Sequence, residues 1–96
     1  MYEKTILAIQ NYMNKYLFEP QINWSKREFL KRSYSRWAAS EILERIMDRP
    51  FDQPDIIVEG FFLEMYMFIH SEEESESDLI FSTARDTAED ILHLIS

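Results

Sequence analysis

Four residues punctuate this chain: Pro20, Pro50, Pro54 and Gly60, its three prolines and its single glycine. Sandwiches and barrels turn about every 8–12 residues and draw on Gly and Pro to do so. Ninety-six residues with four such breakers cannot supply those turns. Long helices need none of them. The punctuation predicts an all-α fold, a single domain over residues 1–96 built as a bundle of four main helices.

Apolar periodicity places the helices. Tyr2, Ile6, Ile9, Met13, Tyr16 and Leu17 recur every three or four residues, which puts them on one face of a helix over residues 2–17. Pro20 ends it, and Glu19 before it is biased toward extended backbone. The second helix starts at Ser25, where "SKRE" reads as a capping box and Trp24 as the residue that staples it. It runs to Asp48, ahead of Pro50. Its apolar residues form two groups. Phe29, Leu30, Tyr34 and Trp37 lie on one side, and Ala38, Ala39, Ile42, Leu43 and Ile46 lie about 150° away. Such a helix either breaks near residues 33–36, where Ser-Tyr-Ser lowers helix propensity, or is continuous with two contact faces. The lack of Pro or Gly between Ser25 and Asp48 favours the continuous form.

"DRPFDQPD" is a turn, with Asp52 as the expected N-cap and Pro54 in the first helical turn. The third helix then covers residues 54–71. It is apolar nearly all round, which predicts a central, buried position. Gly60 would let a neighbouring helix come close. The competing reading of this segment is a hairpin turning at Glu59-Gly60. The fourth helix, over 78–95, carries a clean stripe of Ile80, Ala84, Thr87, Ala88, Ile91 and Ile95.

Composition narrows the function. The chain has no Cys, so disulfides, thiolate nucleophiles and Cys-ligated zinc are excluded. Small secreted domains usually need such staples, so the expected compartment is the cytoplasm. The longest apolar run, Ile56–Ile69, is too short to span a bilayer and contains Glu59 and Glu64. Net charge is −8. Residues 1–49 carry nine basic and six acidic groups, whereas residues 50–96 carry one basic and twelve acidic groups. That asymmetry suits two halves that attract each other, within the fold or across a dimer.

Five of the ten Lys and Arg residues fall within Ser25–Arg36. Arg27, Lys31, Arg32 and Arg36 make this the candidate contact for an acidic partner or a nucleic acid. An acidic pI near 4.6 weighs against nucleic acid. The alternative is a solvated arc that pairs with acidic groups elsewhere. Asp90-x-x-His93 is a loose relative of a di-iron half-motif and falls on the polar side of its helix. His70 ends the third helix beside Glu72, Glu73 and Glu74. Neither defines a metal site, and no metal or cofactor is expected. A lone glycine rules out Gly-rich phosphate loops. Glu59 and Glu64 are too far apart around a helix to act as a pair. Each marks a surfacing helix or pairs with a cation such as Arg36 or Arg45. "SEEESESD" reads as an acidic loop that resembles a kinase substrate at Ser71 and Ser75.

Phe61, Phe62, Met65, Tyr66 and Phe68 exceed what one small core needs from a single helix, which marks them as core or dimer interface. The resulting expectation is a non-enzymatic interaction or regulatory module that works as a homodimer. A nucleic-acid-associated regulator using the basic face of residues 25–36 is the alternative.

Overall fold

A computed structural model of the chain describes residues 2–17, 24–69 and 78–96. The expectations that rest on Pro20, His70 and the acidic run 71–77 lie outside the described residues, as do the side chains of Tyr16 and Leu17. Four α-helices account for the rest: α1 Glu3–Tyr12, α2 Lys26–Asp48, α3 Pro54–Met67 and α4 Leu79–Ile95. The first continues as a π-helical turn, Met13–Leu17, so helix runs to the residue that periodicity predicts. The architecture is an all-α four-helix bundle, and the segment read alternatively as a hairpin is helical.

Local chemistry explains the boundaries. Ser25 is the N-cap of α2, and its hydroxyl accepts from the Glu28 backbone N–H at 3.2 Å. This satisfies one of the orphan donors that every helix start leaves. Pro54 occupies the first turn of α3, where a missing N–H costs nothing. The N-cap is Gln53 rather than the expected Asp52. α3 ends at Met67, with Phe68 as C-cap, so Phe68 and Ile69 fall beyond the helix expected to continue to residue 71.

α2 does not break near residues 33–36. It is continuous over 23 residues. The Ser33 hydroxyl turns back to the Phe29 carbonyl at 3.0 Å, so it bonds within the helix instead of competing with it. Its two apolar groups meet different neighbours. Ala38, Ala39, Ile42 and Ile46 are buried in the core, and Leu43 packs against it. Leu30 and Tyr34 line a cleft with Leu79 at the start of α4, while Trp37 lies 6.2 Å from the Phe61 ring on α3.

One core cluster joins all four helices, through Ile9 and Met13, Ala38 to Ile46, Ile57 to Met65, and Ala84, Ala88 and Ile91. Both α2 and α4 touch every other helix, and α4 is the more extensively packed of the two. It packs most extensively on α3, then on α2, then on α1. Ala84 and Ala88 of α4 and Ala38 and Ala39 of α2 are all fully buried in that shared core. α3, the more apolar segment, is the less enclosed one. Only Pro54, Ile57, Val58, Phe61 and Met65 are buried on it. These buried residues share one side of the helix, and Ile56, Leu63 and Met67 on the opposite side are exposed.

Candidate interaction surface

The uncovered side of α3 has its own pattern. Ile56, Gly60, Leu63 and Met67 follow one another at steps of four, three and four residues, which aligns them in a single stripe. The stripe runs opposite the buried line of Ile57, Phe61 and Met65. Ile56 is 61% exposed, Leu63 53% and Met67 80%. Between them Gly60 is bare. A Cβ added there would meet nothing within 4 Å. The close helix approach that a mid-helix glycine permits is therefore not made by any described residue of the chain. Phe51, 84% exposed, stands beside Ile56 in the groove between the end of α2 and α3, with Arg49 on the same wall.

Polar groups flank this stripe. Glu59 and Tyr66 lie along one edge, both exposed. On the other edge Glu64 is held by Arg45 of α2 at 3.0 Å. The same guanidinium stands 4.9 Å above the Phe61 ring. Of the two cations proposed for Glu64, Arg45 is the one it meets, and Glu59 marks a point where the helix surfaces.

The aromatic and methionine residues singled out from the sequence divide between the two faces. Phe61 and Met65 belong to the core. Phe62 is half-buried, with its ring 6.4 Å from that of Tyr66. Tyr66 and Phe68 are exposed, and Phe68 rests 5.1 Å from Phe81 of α4. Sequence reasoning missed Ile56, Leu63 and Phe51. The four-three-four spacing about Gly60 was the available signal, and it was masked by the apolar residues around the rest of the helix.

The basic residues of α2 do not share one surface. Lys31 and Arg32 line a groove between α2 and α4 together with Glu28, Asp86 and Asp90, so carboxylates accompany them. The Arg32 guanidinium lies 5.2 Å from the Trp24 ring centre. Arg36 donates to the Ser33 hydroxyl at 3.5 Å. Arg27 lies on the other cleft, with Leu30, Tyr34 and Leu79. Duplex recognition draws on cations that converge on successive phosphates. Here they are spread round the helix and interleaved with acids.

Two hydroxyls behind that groove differ. Thr87 Oγ1 lies 2.9 Å from the Thr83 carbonyl and 3.0 Å from Ser35 Oγ. A hydroxyl has one proton, so it donates to the carbonyl and accepts from Ser35. Thr83 Oγ1 is buried with no hydrogen-bond partner. Asp90 and His93 are exposed, and Asp90 accepts from the Tyr12 hydroxyl at 3.4 Å, the long end of the range. Among the described residues, no three His, Asp or Glu side chains are placed to hold a metal ion. No helix among them is long and apolar enough to cross a membrane.

No family model matches the chain, and neither the curated proteins nor the solved structures contain a match to it.

Proposed function

We propose that the protein is a non-enzymatic interaction module of the cytoplasm whose working surface is the outer face of α3. One observation carries this reading: Ile56, Leu63 and Met67 form an exposed apolar line centred on an unobstructed glycine. Scattered exposed apolar residues are ordinary on a monomer, whereas a contiguous stripe marks a contact surface. A mid-helix glycine also weakens its helix by about 1 kcal/mol relative to alanine, a cost offset where another backbone comes close. The absence of Cys supports the compartment. A nucleic-acid role draws less support, because Lys31 and Arg32 share their groove with three carboxylates.

The test places a photo-crosslinking amino acid at position 63 of the full chain in its native cells, with a second variant at Glu89 on the exposed side of α4 as control. A discrete polypeptide adduct from position 63 and none from position 89 is expected. Equal or absent labelling at the two positions removes the reading.

A further inference from the structure

We infer that the α3 stripe is occupied by a second copy of this chain, with the two α3 helices antiparallel and Gly60 of each seated against Leu63 of the other. This rests on the reading of α3 as the working surface and names its partner. The spacing is the first argument. Steps of four, three and four residues read the same in both directions. A two-fold axis between positions 61 and 62 therefore brings Ile56 onto the second copy's Met67 and Gly60 onto its Leu63, twice each. The larger side chain fills the space that glycine leaves, which is knobs-into-holes packing with complementary volumes.

Volume decides the orientation. In a parallel pair Gly60 faces Gly60, leaving a hole. Glu59, on one edge of the stripe, then meets Glu64 on the other edge of the second copy, giving two like-charge contacts. The antiparallel pair sets like edges together, so Glu59 no longer faces Glu64, and the two Glu64 carboxylates share an edge, each already paired with an arginine. The same pairing brings Glu59 beside the exposed Tyr66 of the second copy, whose phenol can donate to it. Glu64 remains with Arg45 of its own chain.

Area is the third argument. Ile56, Leu63, Met67, Tyr66 and Phe51 are each more than half exposed. Together they offer roughly 700 Å² of mostly apolar surface, close to the approximately 800 Å² that one partner contributes to a standard interface. Opposing this, each copy carries −8. Association between like-charged copies through an apolar seam tightens as salt rises, whereas a basic partner on the same face would be released by salt.

Sedimentation equilibrium of the purified full chain tests the assembly. The expected result is twice the 11.6 kDa chain mass, with Kd about 10 μM or tighter, decreasing as salt is raised. Gly60→Ala separates the dimer from the fold. Its Cβ enters open space in one chain, so the dilute protein melts higher, while Kd rises about tenfold because the methyl meets Leu63 of the second copy. The orientation is read by oxidative crosslinking, for which a chain without Cys is well suited. Ile56→Cys mixed with Met67→Cys should give the mixed disulfide in excess of either homodimer. A monomer at about 500 μM, or unchanged association in Gly60→Ala, overturns the proposal, and homodimeric disulfides from Ile56→Cys alone overturn the antiparallel arrangement. If the chain is monomeric yet position 63 still crosslinks in cells to a polypeptide of another mass, the second copy is excluded and the interaction surface stands. If position 63 labels nothing, both fail.

Discussion

α4 buries three hydroxyl side chains, Ser82, Thr83 and Thr87, and α3 buries none, yet α4 is the more enclosed helix. Polarity does not rank burial here; the order of the residues does. α4 keeps its small and apolar residues on one side, so three helices can close over it, and its hydroxyls bond mainly to their own backbone. Ser82 donates to Leu79 O at 3.2 Å, and Thr87 donates to Thr83 O. α3 spreads apolar residues around its circumference. A small bundle can cover only one side of such a helix, and the surplus is left at the surface.

The largest expected contrast is within α3 itself. Phe61→Ala opens a cavity beneath Trp37 and Arg45 and should destabilise the fold by about 3–5 kcal/mol. Leu63→Ala, two residues away on the outer face, should cost the dilute protein less than about 1 kcal/mol. Chemical denaturation of both variants measures the difference. Equal losses would mean that the two faces are not distinct. Between the helices, Ala88→Leu drives a large side chain into the closed α4 seam and should cost about 1–3 kcal/mol.

Within α4, the two threonines should respond with opposite signs. Thr87→Val leaves Ser35 without its partner and should destabilise by about 1 kcal/mol. Thr83→Val removes a buried hydroxyl that bonds to nothing and should stabilise by about 1 kcal/mol. Thermal melts of the pair decide this, and a loss at both positions would show that Thr83 has a bonding partner in solution. The smallest effect is expected for Arg45 and Glu64. Both are partly exposed, so a double-mutant cycle should give a coupling of about 0.2–1 kcal/mol that shrinks with salt.

Features written in short-range chemistry were legible from the residues. Ser25, Pro50 and Pro54 act on their immediate neighbours, and the helix boundaries they set agree with the structure within a residue or two. The two faces of α2 were visible as well, because they are separated along the helix as well as around it. Two other features were not legible. Phe68 and Ile69 are as apolar as the helix before them, so composition gave no sign that α3 stops at Met67. The outer stripe of α3 was hidden for the same reason, since Glu59 and Glu64 lie on opposite edges of it and apolar residues fill both the inner and the outer face. Gly60 was read as letting a neighbouring helix come close, and the structure shows none of the described residues within 4 Å of where its Cβ would lie.

The π-helical turn at Met13–Leu17 bears on how this sequence tolerates insertion and deletion. Such a turn closes its hydrogen bonds one residue further along than an α-helix does, so it accommodates a single surplus residue without breaking the rod. Ile9 precedes the turn and Met13 opens it, so both of these buried contacts lie on the N-terminal side of Asn14. Asn14 is exposed within the turn. Removing it should return the segment to ordinary α-helix with both core contacts in phase. A one-residue deletion anywhere in the second or fourth helix would instead rotate a buried stripe out of the core.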